Sequence, residues 1–305
     1  MRANLYALAA IALWASLSAL GVSLKHVPPF LLTGIALMMG SVLAWPFVIR
    51  DRRQWQVPPR MLALGIFTLF GFHFMLFIAL RMAPAVEVNL VNYLWPLFIV
   101  VLSPLYLPGV SLRKLHIAAA VTGFAGAAIA ILGAREGVGA SAAAVSASPA
   151  TNQVVGYLLA LGSALIWANY SLQTKRSDMS GTGFPTAAIG LFGLISGALS
   201  LVCHFALEPP VSLNAQDWLL LALMGLGPLG AAFFLWDKAL KLGDARQIGI
   251  LSYLTPLAST VLLIMVTNRA LSWNIALAAT LIIGAAVMGT WVSARVETRV
   301  ETAQK

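Results

Sequence analysis

Apolar stretches long enough to cross a bilayer as a helix, about 20 residues each, follow one another along almost the whole chain. Ten can be delimited, at 4–23, 29–49, 61–81, 84–107, 114–133, 154–174, 184–205, 217–239, 244–267 and 272–293. The gaps between them carry turn signals: His26-Val27-Pro28-Pro29, Arg50 to Arg60, Leu107-Pro108-Gly109 and Glu208-Pro209-Pro210. A soluble fold would need a polar skin around this much apolar sequence. Only 10% of the residues are charged and 60% are hydrophobic, whereas soluble domains carry roughly a quarter charged. The chain therefore reads as an all-α membrane protein with ten transmembrane helices. Its first stretch lacks a small-x-small cleavage site with a soluble domain behind it, so it reads as a retained helix rather than a signal peptide.

One gap differs from the rest. Residues 134–153, GAREGVGASAAAVSASPATN, are rich in Gly, Ala and Ser with no periodic apolar face, which predicts a flexible linker. It divides the chain into a five-helix unit at 1–133, a second at 154–293, and a tail at 294–305. With the N-terminus in the cytoplasm, 15 of the 19 Lys and Arg residues fall at cytoplasmic ends, and only Lys25, Arg81, Arg135 and Arg269 fall outside. That bias is the topological rule for basic residues, and it places both termini in the cytoplasm. It also accounts for the net charge of +9 without nucleic acid as a partner. The single cysteine, Cys203, permits no intramolecular disulfide and reads as a packing residue.

The two units resemble each other. At an offset of 160, ALRMAPAVEVNLVNYLWPL (79–97) overlays ALKLGDARQIGILSYLTPL (239–257) with seven identities in 19 positions, among them Tyr93, Leu94, Pro96 and Leu97 on Tyr253, Leu254, Pro256 and Leu257. With five spans per unit, the second enters the membrane from the opposite side. The fold expected is two inverted five-helix repeats, the construction many secondary transporters use for alternating access.

Polar groups deep in a membrane span are functional candidates because lipid cannot solvate them. The fourth span brings Asn89, Asn92, Tyr93 and Pro96 to one helical face with Trp95 beside it. Pro96 frees the carbonyl of Asn92, which must line a wet cavity or find another partner. The ninth span repeats the device with Gln247, Ser252 and Tyr253 before Pro256. Both patterns also fit packing kinks. Trp14 in the first span and Trp167 in the sixth, which shares a helical face with Tyr170, lie more than half way along their spans and fit either a cavity wall or an interfacial anchor. Trp45, Trp55, Trp218, Trp273 and Trp291 sit near predicted ends and fit the aromatic belt. His73 is the ionisable group well inside the third span; it suits substrate contact, titration, or a bond to a neighbouring helix. Glu87 and Asp237, near span ends, are the candidates for proton coupling, with Asp237 and Lys238 able to pair. His26, His116 and His204 read as peripheral.

Several chemistries are disfavoured. The midplane has no Lys or Arg to clamp a phosphate, and the first span has no acid to pair with a lipophilic cation. Metal-ligand spacing and a nucleotide-binding loop are both missing, so neither metal nor cofactor is expected. Scattered histidines argue against a membrane-embedded enzyme. An aromatic, neutral, hydrogen-bonding chamber suits a small zwitterion, because Trp and Tyr faces attract an ammonium and stack on a ring.

Ten spans in two halves, with Trp-Ala in spans one and six, resemble the EamA-type drug/metabolite transporter superfamily. Val-Asn-Tyr-Leu-Trp-Pro-Leu (91–97) and Trp-Ala-Asn-Tyr-Ser (167–171) are similar to the YddG-type bacterial aromatic amino acid exporters within it. The resemblance implies a basket of helices one to four and six to nine around a central cavity, with helices five and ten outside. It also implies a monomer in the bacterial inner membrane that exports aromatic and other neutral amino acids, with organic cations or other metabolites as the alternative cargo. Asn92, Tyr93, Trp95 and Trp167 become the leading site residues, joined by Trp14, His73, Asn89, Tyr170 and Tyr253. Pro96 and Pro256 are the expected hinges.

Overall fold

The computed structural model describes residues 2–136, 150–267 and 273–303, and every regular element among them is helical. The central part of the expected linker, 137–149, lies outside the described residues. In chain order the helices are α1 (Arg2–Ala15), α2 (Leu17–Ser23), α3 (Pro29–Ser41), α4 (Trp45–Arg50), α5 (Pro59–Met82), α6 (Ala85–Asn92), α7 (Trp95–Tyr106), α8 (Lys114–Glu136) and α9 (Ala150–Met179). They continue with α10 (Ala188–Leu207), α11 (Ala215–Leu226), α12 (Ala232–Leu242), α13 (Ala245–Leu251), α14 (Leu254–Thr267) and α15 (Trp273–Ala303). Nine helical stretches among the described residues are long and apolar enough to cross a membrane. Four of these are broken rods, such as α6 with α7 and α11 with α12. The ninth expected span, 244–267, is not among these stretches; it is made of α13 and α14, separated at Ser252 and Tyr253. At the chain's end α15 continues to Ala303, through residues expected to form a tail.

Helix ends follow local chemistry. Pro29 and Pro59 open α3 and α5, where a missing N–H costs nothing. Asn214 and Asp217 form a reciprocal capping box at the start of α11, and Asp244 caps α13 through the Arg246 N–H. The breaks have causes too. Pro96 and Pro256 lie just after the interruptions between α6 and α7 and between α13 and α14, and Gly227-Pro228-Leu229-Gly230-Ala231 winds as one π turn between α11 and α12.

Helices pack through small residues, because lipid gives no hydrophobic drive between them and close backbone approach must supply the attraction. α3 lies against α10 and α11, α5 against α9 and α10, α1 against α12, and α8 against α15. One close crossing is α3 on α11. A Cβ on Gly225 would stand 2.6 Å from the Ala36 carbonyl oxygen and 2.8 Å from Met39 Cβ. Overpacking such a site costs about 1–3 kcal/mol. Gly225→Val should therefore melt roughly 5–10 °C below wild type by tryptophan fluorescence in detergent. Outward, Ile49, Leu105, Val202, Phe205 and Val287 are exposed, as a lipid-facing surface requires.

Candidate functional site

A cavity of about 570 Å³ lies between α1, α2, α3, α5, α6, α7, α9, α11, α12 and α14. Its walls can be ordered by following each helix. Along α1 and α2 the lining residues run from Trp14 through Leu17 and Gly21 to Leu24, with Lys25 just beyond; along α5 they run from Phe72 and His73 through Leu76 and Phe77 to Leu80. One end therefore carries Lys25, Val27 and Pro29. The other is floored by Trp14, Trp95 and Trp167, with Phe72 and Phe233 beside them.

The floor is a plug of rings from four helices. Trp14 meets Trp167 edge-on at 5.8 Å and Trp236 at 5.2 Å, while Trp95 meets Trp236 at 5.4 Å and Trp167 at 6.3 Å. Phe233 closes the group at 5.6 Å from Trp167 and 6.1 Å from Trp14. Two of the four indole N–H groups are bonded within the protein: Trp14 Nε1 donates to the Pro228 carbonyl at 3.1 Å, and Trp236 Nε1 to Ser171 Oγ at 3.2 Å. Pro228 belongs to the π turn, whose irregular winding presents a carbonyl to the cavity wall. π turns recur at functional sites for this reason.

Seven expected site residues come together here: Trp14, His73, Asn89, Asn92, Tyr93, Trp95 and Trp167. The break after Asn92 turns the end of α6 inward. Asn92 Oδ1 accepts from Ser163 Oγ at 2.9 Å, which ties α6 to α9. His73 bonds within its own helix, not to a neighbour: Nδ1 donates to the Leu69 carbonyl at 2.6 Å. A neutral imidazole then offers Nε2 as an acceptor.

Other expected residues lie elsewhere. Tyr170 is buried behind Trp167, ring centroids 5.9 Å apart, and does not line the cavity. Tyr253 is fully buried against Phe124 of α8, in a space left by Gly123. Pro96 and Pro256 are off the lining; Pro96 backs onto α13, where its carbonyl would stand 3.3 Å from a Cβ on Gly249. Glu87 is in the first turn of α6, also off the lining.

Asp237 is fully buried beyond the plug and pairs with Lys241, not Lys238. Lys241 Nζ donates to Asp237 Oδ2 and to the Phe184 carbonyl, both at 2.7 Å, and Thr186 Oγ1 donates to the same carboxylate oxygen at 2.6 Å. Lys238 sits over the Tyr6 ring at 5.6 Å. Two of the three histidines read as peripheral are buried. His116 accepts from the Arg113 N–H, and His204 lies 3.0 Å from Glu208, which also takes Arg81 and the first amides of α3. His26 stays half-exposed and pairs with Asp217 at 3.0 Å.

Trp236, Thr33, Thr255 and the π turn were not singled out by the sequence pattern. The one available signal was Gly-Pro-Leu-Gly in the middle of an apolar stretch.

The sequence profile of the EamA-like transporter family matches residues 1–132 and 154–291. The aromatic amino acid exporter YddG of Ancylobacter novellus is 38% identical over 96% of this chain and 98% of its own length. The protein of that name in Escherichia coli (strain K12) is 25% identical over the same shares. A solved crystal structure superimposes with a TM-score of 0.84 over 95% of this chain and 98% of that one, at 36% identity.

Proposed function

This chain belongs to the EamA-like transporter family, a multi-pass membrane transporter and not an enzyme, and from that premise we propose that it exports aromatic and other neutral amino acids. One observation carries the proposal: the cavity ends in a floor of three tryptophans, and Lys25 at its rim is the one charged side chain among its described lining residues. A planar apolar side chain fits against the ring faces, and a zwitterion needs no net counter-charge. The likeness to exporters over nearly the whole chain supports the same cargo.

In this reading the chain has ten spans in two inverted repeats, 1–133 and 154–293, joined by the 134–153 linker, and works as a monomer in a bacterial inner membrane with both termini in the cytoplasm. The interruptions before Pro96 and Pro256 are the hinges, and the halves rock about the cavity. The cavity then opens toward the outer face at Lys25, and the tryptophan plug closes the inner face. Trp14, His73, Asn89, Asn92, Tyr93, Trp95 and Trp167 form the binding wall. Tyr170 and Tyr253 support it from behind. With Glu87 and Asp237 off the lining, export runs down the substrate gradient without an obligatory proton.

The test is reconstitution into liposomes preloaded with mixed amino acids. Phenylalanine, tyrosine and tryptophan should leave fastest, other neutral amino acids more slowly, and glutamate and lysine no faster than from preloaded liposomes without protein. Imposing a pH gradient should leave these rates unchanged. Efflux of methyl viologen-like dications without amino acid efflux would overturn the assignment in favour of a multidrug exporter.

A further inference from the structure

The connection between the second and third spans gathers positive charge at the membrane edge. Arg50 ends the apolar stretch Pro29–Arg50, Arg52 and Arg53 follow in the short turn Arg52–Trp55, and Arg60 stands at the start of the stretch Pro59–Met82. All four are exposed. The sole acid from Pro29 to Met82 is Asp51, and the turn itself engages its carboxylate. Asp51 accepts from the Arg53 N–H at 3.0 Å and from Gln54 Nε2 at 3.4 Å. Basic groups elsewhere at this end act inside the protein: Lys241 holds Asp237, Lys175 donates to the Lys241 carbonyl, and Arg246 is bonded to Asp244 and to the Ser111 carbonyl.

A topology signal needs only charge, and this connection has more than charge. It is fastened: Trp55 Nε1 donates to the Ala187 carbonyl at 3.0 Å, which ties the turn to the segment just before α10. Arg50, Arg52 and Arg53 fall within four residues, so their Cα atoms span at most about 11 Å. Just before them on α4, Trp45, Phe47 and Ile49 are 47%, 60% and 80% exposed, as side chains among acyl chains are. The guanidinium groups therefore come at the depth of lipid head groups. Each basic side chain here is arginine, whose planar fork matches two phosphate oxygens at once. We propose that Arg50, Arg52 and Arg53 form a binding surface for anionic phospholipid head groups, with Arg60 adding its charge from the start of α5. A zwitterionic lipid brings the same phosphate with a cation that the arginines repel, so the surface selects head groups of net negative charge. In the orientation proposed above this surface meets the inner leaflet; the binding itself depends on neither that orientation nor the cargo.

The experiment uses the purified full chain in neutral detergent micelles and counts bound lipid by native mass spectrometry, with phosphatidylglycerol and phosphatidylcholine titrated separately. Each basic side chain at an anionic surface strengthens association roughly fivefold, so wild type should prefer phosphatidylglycerol by about 30-fold or more. Arg50→Gln, Arg52→Gln and Arg53→Gln combined should cut that preference below about threefold. Each substitution alone should weaken phosphatidylglycerol binding about three- to fivefold, a reading that does not need the triple variant to be stable. Arg2→Gln, Lys114→Gln and Arg176→Gln combined remove the same charge from exposed side chains scattered over the same face in that orientation. This control should keep the preference within about twofold of wild type, because distant exposed charges are screened. An equal fall in both triple variants would overturn the proposal, since the preference would then be diffuse attraction to net charge. A wild-type chain that binds the two lipids alike would overturn it as well. Inorganic phosphate at matched ionic strength should not displace phosphatidylglycerol; displacement would overturn the lipid assignment in favour of a soluble anion.

Discussion

Proteoliposomes carrying Trp167→Ala should release phenylalanine at no more than about a tenth of the wild-type initial rate, because truncating a buried aromatic anchor at a binding surface costs about 2 kcal/mol or more. Trp167 lines the cavity and touches rings from every side of the floor: Trp14, Phe72, Trp95, Tyr170, Phe233 and Trp236, with centroids between 5.5 and 6.5 Å. Removing it takes away the face on which a substrate ring would stack, and it opens a void into which the remaining indoles can turn. Membrane insertion depends on the summed hydropathy of the Asn152–Met179 span rather than on one ring, so the inserted amount should stay near wild type. Trp167→Phe retains a flat apolar face and should recover most of the rate. Trp236→Ala makes a useful contrast. Trp236 is buried in the plug but does not line the cavity, so its loss should slow transport without a matching loss of affinity. Wild-type efflux by Trp167→Ala would remove the tryptophan floor from the binding site.

Much of this architecture is legible in the sequence, for a simple reason. Lipid imposes a length and a polarity on each span, so helices appear as apolar runs, and prolines such as Pro96 mark the breaks directly. Amides on one face of a span, Asn89 and Asn92, are also visible as an expense that lipid does not tolerate. What could not be read is pairing in space. Trp236 lies near the end of its apolar run and looks like one more membrane-facing ring; only the packing of α12 on α1 and α9, with Trp95 of α7 against its ring, turns it into the centre of the plug. His116 and His204 share that ambiguity, because proximity to a span end says nothing about which helices close over it. Tyr253 shows the reverse error. It overlays Tyr93 in the repeat, yet Gly123 lets α8 approach so closely that the Tyr253 ring is buried outside the cavity. Thr33 and Thr255 gave no signal because threonine is common in apolar helices, and their place on the cavity wall is visible only once all the neighbours are in place.

The second large effect should come from Lys241→Met, which is expected to melt roughly 10 °C below wild type, since stranding a buried charge costs about 3–5 kcal/mol. Along α12, Phe233 lines the cavity, Trp236 fills the plug, and Asp237 and Lys241 follow. At a rise of about 1.5 Å per residue, Lys241 lies roughly 12 Å beyond Phe233. There it joins three segments. Its ammonium binds Asp237 and the Phe184 carbonyl and lies 4.4 Å from the Phe184 ring centroid, and its own carbonyl accepts from Lys175 Nζ of α9 at 3.0 Å. Removing the ammonium leaves the Asp237 carboxylate, which has no exposed surface, with the Thr186 hydroxyl on one oxygen and nothing on the other. Asp237→Asn should be milder, because Lys241 keeps a carbonyl, a ring face and some solvent. The double variant Asp237→Asn with Lys241→Met should melt closer to wild type than Lys241→Met alone, since no charge is then stranded. That ordering separates a coupled pair from two independent losses, which would add. It also bears on the proposed transport cycle, in which the inner face opens as α12 moves away from the 180–187 loop and α9. A double variant that is stable but lacks these ties should expose the far side of the plug more often, and labelling of a cysteine placed at Thr186 from the cytoplasmic side should be faster in it than in the same cysteine variant with Asp237 and Lys241 intact. Equal labelling would mean that the pair stabilises the fold without restraining the inner opening.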